Sequence, residues 1–262
     1  MNKLSIAIPT FNSSTYLRES LQVFSKLKTI EEIVISDDLS DEEDFLNLEK
    51  IVQEYKSQLN IKIYQNNENL GGFANKYKAT SLCLGEYVYQ LDSDNIPIYK
   101  SLDKIIKFIN SGEFNHDNLY LPSKIRTFNE NRVVSFLKNK NHITFSNKNL
   151  LLDREIIVQN LKGEIDSIKD KSIRWVLNGG NPLFFKQSYL SNLKEGINQD
   201  EINISAACSI ALNYYWLKNG GKVELLEGFK HLHRIREDSY YVSEGSQSTE
   251  SINLFVDMFL KY

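Results

Sequence analysis

Strand-like and helix-like segments alternate along the first hundred residues, and this alternation restricts the fold more than any other feature of the sequence. Four short apolar segments lie at residues 4–8, 32–36, 61–64 and 86–91. Between them, apolar residues recur at helical spacing, as at Leu17, Leu21 and Phe24. The repeated strand–helix–strand order predicts an α/β fold with a Rossmann-like, mostly parallel central sheet flanked by helices.

Start signals for the helices support this order. Ser40 followed by Glu43 forms a capping box in front of the second helical segment. Gly71 and Gly72 open a third helix that is expected to run to about residue 82. We therefore expect helices after each of the first three strands.

The second half of the chain is more mixed, and we expect it to extend the same sheet as part of a single domain, residues 1–262. Residues 141–170 are polar and give no clear order. Helices are expected around residues 102–109, 206–217 and 251–260, the second of them capped by residues 219–221. Strands are expected at residues 118–122, 132–137, 142–146, 183–185, 223–226 and 229–235.

Composition excludes several classes of protein. The net charge is -3 and no basic block is present, so no nucleic-acid partner is expected. No apolar run approaches the roughly 18 residues of a membrane span, and the first residues read as a strand rather than a signal peptide. The two cysteines, Cys83 and Cys208, are expected to be free thiols in a cytoplasmic protein.

Each predicted strand end carries a specific polar loop. These loops are residues 9–12, 37–40, 69–72 and 92–94. Ligands bind beyond the carboxyl ends of the strands in open α/β sheets, so the loops are expected at one ligand-binding rim. The last loop places Asp92 and Asp94 one residue apart, and two adjacent carboxylates repel unless a cation lies between them.

Each loop also has an ordinary structural explanation. Asn12 can cap a helix, and Asp37 with Asp38 can form the turn before one. Gly71 and Gly72 can form a tight turn, and a lone D-x-D occurs often by chance. The four loops together are harder to explain by chance, because the topology brings them to the same rim.

The sequence resembles the family 2 glycosyltransferases, which have the nucleotide-sugar-binding fold called GT-A. The segments that carry the resemblance are LSIAIPTFN (4–12), EIVISDDLSDE (32–42), NNENLGG (66–72), GEYVYQLDSDN (85–95), GGNPLFFKQSYL (179–190) and HLHRIREDS (231–239). The resemblance implies a nucleotide-sugar-binding half, residues 1–98, and an acceptor-side half, residues 99–262, that includes a C-terminal helix. It also implies an inverting transfer of a sugar from a nucleotide-sugar donor.

The resemblance implies roles for the rim residues. Asp94 would bind Mn²⁺ or Mg²⁺ directly, Asp92 would contact the metal and the donor ribose, and His233 is a further candidate ligand. The donor nucleotide would contact Pro9, Thr10, Asn12, Asp37 and Gly71. An acid at Asp37 favours UDP weakly, because it can accept the imide N–H of uracil. Asp38 either contacts the ligand or braces its loop.

The catalytic base is expected in a pair of acids before a helix. Asp200 is the first candidate and Glu201 the second, and a solvated helix start explains the pair equally well. The spacing of this pair departs from the family pattern. If neither residue is the base, it lies elsewhere or the enzyme is impaired.

Two more segments carry candidates. Residues 231–236 alternate, and either Arg234 or Arg236 could bind the donor diphosphate or simply lie at the surface. A common family pattern has histidine at the position of Arg236, which leaves the phosphate contact open. Gly180 and Asn181 match a loop beside the donor sugar and acceptor, or form only a turn.

Other enzyme classes lack their signatures here. The loop after the first strand has no glycine-rich dinucleotide fingerprint, and no P-loop motif is present. The remaining alternative is a catalytically impaired GT-A-like domain that binds a nucleotide sugar or a glycan. The preferred interpretation is a metal-dependent glycosyltransferase that acts on a glycan, glycolipid or glycoprotein in the cytoplasm, with peripheral contact at the inner membrane face left open.

Overall fold

The computed structural model describes residues 3–129, 142–144, 150–164, 176–177, 180–198, 208–236 and 245–261. One curled sheet runs through both halves of the chain in the order β3-β2-β1-β4-β9-β6-β10-β5, with β7 on β6 and β8 on β10. Its strands are β1 Leu4–Thr10, β2 Ile30–Asp37, β3 Ile61–Gln65, β4 Tyr87–Gln90, β5 Ile96–Pro97, β6 Asn118–Asn129, β7 His142–Thr144, β8 Leu150–Leu152, β9 Leu183–Phe185 and β10 Lys222–Ile235.

The direction of each strand determines which loops share the rim. β1, β2, β3 and β4 are parallel to one another. β9 is antiparallel to both β4 and β6, and β10 is parallel to β6, so β10 runs in the same direction as β4. The carboxyl ends of β1, β2, β4 and β10 and the amino end of β9 therefore meet at one edge of the sheet.

Helices cover both faces of this sheet. They are α1 Leu17–Phe24, α2 Glu42–Tyr55, α3 Gly72–Ser81, α4 Tyr99–Asn110, α5 Arg154–Lys162, α6 Lys186–Leu193, α7 Cys208–Lys218 and α8 Gly245–Lys261. One apolar core lies under α1, α2 and α4, and the other lies under α3 and the helices of the second half. Within the described residues, no helix is both long and apolar enough to cross a membrane.

The strands and helices predicted in the first half are confirmed, and the second half differs in detail. The capping box predicted at Ser40 is wrong, because Asp41 is the residue before α2 and the Ser40 hydroxyl donates to the Asp37 carboxylate instead. The two strands expected at residues 223–226 and 229–235 form the single strand β10, with a register shift between Leu226 and Lys230. Of the strand expected at 142–146, the described residues form β7, His142–Thr144, and the other two lie outside the described residues. The strand expected at 132–137 lies outside the described residues. Both cysteines are free, as expected.

Two helices and two short strands were not predicted. Helix α5 has both end signals, because the Asp153 carboxylate accepts from the Ile156 N–H at 2.9 Å and Gly163 has a φ of 75°. Of its residues only Ile157 is buried, so it lacks the apolar stripe on which the prediction relied. Helix α6 likewise buries only Tyr189 and Leu193. β5 and β8 are too short to show a periodic pattern.

Glu32 is a buried carboxylate that joins three parts of the first half. It accepts from the Ser5 hydroxyl of β1 at 3.0 Å and from the Leu84 N–H before β4, and it pairs with Lys62 of β3 at 2.7 Å. Burial opposes ionisation, but the hydrogen bonds from Lys62, Leu84 and Ser5 outweigh it, so the pKa of Glu32 is lowered. The ionised carboxylate therefore stabilises the sheet at the edge opposite the rim, where these parallel strands begin.

We expect Glu32→Gln to lower the free energy of unfolding by about 2 kcal/mol at pH 7, because an amide NH₂ group would face the Lys62 ammonium or the Leu84 N–H. The folded pKa is below the unfolded value of about 4.3, so the loss is full above that pH and shrinks as pH falls further. Urea denaturation at pH 7 and pH 3.5 measures both effects.

Glu31→Gln is the matched control, because Glu31 forms only an exposed pair with Lys3 at 3.4 Å. It should change stability by less than about 0.5 kcal/mol. An equal loss for both variants, or a loss at Glu32 that does not depend on pH, would contradict the assigned role.

Candidate active site

Hydroxyl groups connect the loop after β1 to the loop after β4. Thr10 Oγ1 lies 2.9 Å from Ser13 Oγ, and Ser13 Oγ lies 2.7 Å from Ser93 Oγ. All three residues are buried, and Pro9 lies beside them within β1. The first and fourth strand-end loops, predicted to share a rim, are therefore in direct contact.

Asp37 ends β2 with its carboxylate fully buried. One oxygen accepts from the Ser40 N–H at 3.0 Å and from Gln65 Nε2 at 3.3 Å, and the other accepts from the Ser40 hydroxyl. The Ser40 hydroxyl oxygen also accepts from the Asn12 N–H at 2.8 Å. Asp37 thus holds the turn after β2 in place at the rim.

Asn12 bridges the loops after β1 and β2. Its amide donates to the Asp41 carboxylate at 3.2 Å, and its amide oxygen accepts from the Asp41 N–H at 2.9 Å. Asn12, Leu39 and Asn181 are the non-glycine residues with positive φ in the described part of the chain, and all three lie at the rim. Backbone strain of this kind concentrates where surrounding structure imposes a conformation, as at functional sites.

Asp38 braces the loop before α3, one of the two roles left open by the sequence. Its carboxylate accepts from Asn66 Nδ2 at 2.9 Å, the Leu70 N–H at 2.8 Å and the Gly71 N–H at 2.9 Å. Burial raises the pKa of Asp38 despite these hydrogen bonds. Gly71 has φ 79° and ψ 162°, a conformation that is essentially restricted to glycine.

Asp92 is held from two sides. The buried Lys76 ammonium of α3 lies 2.8 Å from Asp92 Oδ1, and the Asn181 side-chain oxygen accepts from the Asp92 N–H at 2.6 Å. Burial favours the neutral acid, but Lys76 outweighs it and the pKa of Asp92 is lowered. Burial would also lower the pKa of Lys76, but the Asp92 carboxylate raises it instead. Both partners are therefore charged at neutral pH.

Asp94 is in a different electrostatic position. Arg236 Nε lies 3.2 Å from Asp94 Oδ2. Burial and the nearby Asp92 carboxylate nevertheless raise the pKa of Asp94. One protein cation does not fully neutralise this carboxylate, so the site favours a further positive charge.

Arg234 lies near the end of β10 and Arg236 directly follows the strand, and the two have different surroundings. The Arg234 guanidinium lies 4.7 Å from the ring centres of both Tyr16 and Phe128. It pairs with Glu19 of α1 and donates to the Asp94 carbonyl at 3.1 Å. Arg234 is thus a buried connection between α1, β10 and the loop after β4, whereas Arg236 lies against the Asp94 carboxylate.

His231 and His233 share one face of β10, as the alternation predicted, with ring centres 6.3 Å apart. His231 is buried, and its Nε2 lies 3.4 Å from the Asn181 amide nitrogen. Burial lowers the pKa of His231 to about 3, so it is neutral at ordinary pH. Gly180 lies close to Asp92 as well, because a Cβ at this position would be 3.5 Å from Asp92 Oδ2.

The structure therefore brings most of the predicted site residues to one rim. They are Pro9, Thr10, Asn12, Asp37, Asp38, Gly71, Asp92, Asp94, Gly180, Asn181, His233, Arg234 and Arg236. Asp200 and Glu201, the candidate bases, lie outside the described residues. Whether any of these residues binds a ligand stays a prediction.

Lys76 is a rim residue that the sequence analysis missed. It follows the buried Phe73 by three residues and precedes the buried Ala79 by three, so it lies on the apolar stripe of α3. A lysine on a buried stripe needs an anionic partner, and this was the available signal. The partner itself could not be read from the sequence pattern.

The donor groups fit a divalent cation of the kind that the family implies. Within the described ranges, no three histidine, cysteine, aspartate or glutamate side chains converge to hold a metal by themselves. Mg²⁺ commonly uses only one or two protein carboxylates and completes its shell with water and substrate phosphates. An incompletely neutralised Asp94 beside Asp92 meets that requirement.

Comparisons with known proteins agree with this fold. The family model described as "Glycosyl transferase family 2" matches residues 5–158, more than half of the chain. The curled, mostly parallel sheet flanked by helices is that of the GT-A class. The chain belongs to glycosyl transferase family 2.

Among known relatives, the poly(ribitol-phosphate) beta-N-acetylglucosaminyltransferase TarS of Staphylococcus aureus is 33% identical over 128 residues. Those residues are 47% of this chain and 21% of TarS. The chondroitin synthase of Escherichia coli is 37% identical over 105 residues, 36% of this chain and 14% of the synthase. The chain thus matches 21% of the length of one relative and 14% of the other.

Solved structures of S. aureus TarS residues 1–349 share the fold. The complex with UDP-GlcNAc has a TM-score of 0.63 at 18% identity, covering 98% of this chain and 70% of that one. The complex with UDP has a TM-score of 0.62 at 18% identity, covering 98% and 69%. At this level of identity the likeness establishes the fold alone.

We expect Lys76→Met to lower the free energy of unfolding by about 3 kcal/mol at pH 7, because it leaves the Asp92 carboxylate without its buried partner. Lys107→Met is the matched control, since Lys107 forms an exposed pair with Asp103 on α4. It should cost less than about 0.5 kcal/mol. Urea denaturation measures both, and equal losses would show that the Lys76 pair does not hold the loop.

Proposed function

We propose that this protein transfers a sugar from a nucleoside-diphosphate donor, with UDP favoured, to a hydroxyl of a glycan, glycolipid or glycoprotein. The proposal includes inversion at the anomeric carbon and a requirement for Mn²⁺ or Mg²⁺. The observation that carries it is the Asp92–Asp94 pair at the carboxyl edge of the sheet, with a cationic side chain on each carboxylate. Support also comes from the TarS structures, which have this fold and bind UDP and UDP-GlcNAc.

The two carboxylates take different parts in the proposal. Asp92 is held in place by Lys76 and Asn181, so it is suited to contact the donor ribose and the metal ion. Asp94 is the proposed direct ligand, with His233 as a further candidate. The divalent cation would neutralise charge on the departing diphosphate.

Arg236 is the proposed contact for the donor diphosphate. Its guanidinium already lies against an anionic group, Asp94, at the rim. Arg234 is less suited to this role, because it is held between two rings and paired with Glu19. We therefore assign to Arg234 the task of holding the loop after β4 in position.

The base pocket is proposed at the ends of β1 and β2, next to Pro9, Thr10, Asn12 and Gly71. Asp37 remains the proposed acceptor for the uracil imide N–H. Its carboxylate is fully buried, so a base can reach it only if a covering side chain moves. The side chain that could move is Gln65, which is exposed and donates from Nε2 to Asp37 Oδ2 at 3.3 Å.

Several details rest on the family resemblance. Gly180 and Asn181 were assigned there to the donor sugar and acceptor, and Asp200 or Glu201 to the catalytic base. The proposed compartment is the cytoplasm, in keeping with two free cysteines, and contact with the inner membrane face stays open.

Nucleotide binding tests the donor site. We expect calorimetric titration with UDP, GDP, CDP and dTDP to find one preferred nucleotide, whose affinity rises with Mn²⁺ and falls with EDTA. Asp94→Ala should remove at least tenfold of that metal-dependent affinity, about 1.4 kcal/mol, because it deletes the proposed metal ligand.

Asp103→Ala, which removes an exposed acid of α4, should bind as the unaltered protein does. Binding that ignores EDTA would remove the metal from the proposal. The absence of binding to all four nucleotides would instead favour a domain that recognises a glycan without turnover.

A second prediction concerns the catalytic base. With a donor and acceptor in hand, Asp200→Asn should lower turnover by at least about 100-fold, because an amide cannot accept the acceptor proton. Donor affinity, measured by calorimetry, should change less than about threefold. Glu201→Gln serves as the comparison, and a larger loss there would move the role to Glu201. Near-normal turnover in both variants would place the base elsewhere.

A further inference from the structure

Asn181 makes a contact that its predicted role does not require. The Asp92 N–H lies just past the end of β4, where Gln90 and Leu91 make main-chain bonds to the Pro182 and Ala7 carbonyls at 3.0 and 2.9 Å. At Asp92 the Asn181 side-chain oxygen accepts the N–H at 2.6 Å. A side-chain oxygen therefore replaces the main-chain acceptors at the first residue where the loop leaves the sheet.

The amide of Asn181 can point in only one direction. Asp92 offers an N–H, so the amide oxygen must face it, and the amide NH₂ must face His231 Nε2 at 3.4 Å. His231 Nε2 is then an acceptor, which requires a neutral ring with its proton on Nδ1.

The backbone of Asn181 supports the same interpretation. Its φ is 61°, a left-handed conformation that costs most residues about 1 kcal/mol. The residue as a whole is buried, with 2% of its surface exposed. It is well placed to fix the neighbouring strand end.

We propose that Asn181 is a positioning residue for Asp92, and that His231 fixes the direction of the Asn181 amide. The pair sets where the Asp92–Asp94 loop leaves the sheet, and so it sets the distance between the two carboxylates and the donor. This inference rests on the proposed function for its consequence in catalysis. The anchoring itself is independent of any ligand.

Asn181→Gly is the test variant, because glycine keeps the left-handed conformation available while it removes the side chain that carries the amide. Hydrogen–deuterium exchange of the ligand-free protein should show exchange at least about tenfold faster in the peptide that contains residues 91–95. His231→Phe should produce a smaller change in the same peptide. Asn118→Ala is the control, since Asn118 is a buried asparagine bonded to Glu224 at the far end of β6.

UDP titration with Mn²⁺ and with EDTA is the second measurement. Asn181→Gly should bind UDP about tenfold more weakly than the unaltered protein when Mn²⁺ is present. In EDTA the two proteins should bind UDP with affinities within about twofold of each other. Unchanged exchange at residues 91–95 would overturn the proposal, as would equal acceleration in Asn118→Ala. Faster exchange in Asn181→Gly, together with no metal-dependent affinity in the unaltered protein, would overturn the proposed function and leave the anchoring in place.

Discussion

Two carboxylates that lie one residue apart at the end of β4 repel each other, and the rim is organised around that repulsion. Lys76 reaches Asp92 from α3, and Arg236 reaches Asp94 from the end of β10. These contacts join elements from both halves of the chain at one point. Burial and the Asp92 carboxylate raise the pKa of Asp94, and the divalent cation of the proposed function would relieve that repulsion.

The strand ends could be predicted from sequence, but their partners could not. Apolar segments followed by polar loops located Asp37, Asp92 and Asp94, because strand direction fixes which loops meet. Lys76 was missed, since a helical pattern identifies a buried face without naming what lies opposite. Likewise, the alternation at residues 231–236 placed Arg234 and Arg236 on the same face. Both lie over the Tyr16 ring, and only tertiary packing pairs Arg234 with Glu19 and Arg236 with Asp94.

The second half of the fold was harder to predict for a related reason. Periodicity reports an element only when one side of it is buried. Helix α5 buries one residue and has its signals at its caps, Asp153 and Gly163. Gly228 lies at the register shift in β10, and the sequence therefore predicted two strands there. They form one strand because β10 pairs with β6 on both sides of the shift. Such pairing depends on residues about a hundred positions away.

The position of β9 between β4 and β6 has a consequence for how the chain folds. Every residue of β4 is buried, yet one edge of that strand stays unpaired until Leu183–Phe185 has been made, more than ninety residues after Gln90. At a synthesis rate of about 5 to 20 residues per second, that interval lasts roughly 5 to 20 s. During it, the first half presents an open apolar strand edge to other nascent chains, so chaperone protection during synthesis matters more for this protein than for one whose strands pair in sequence order.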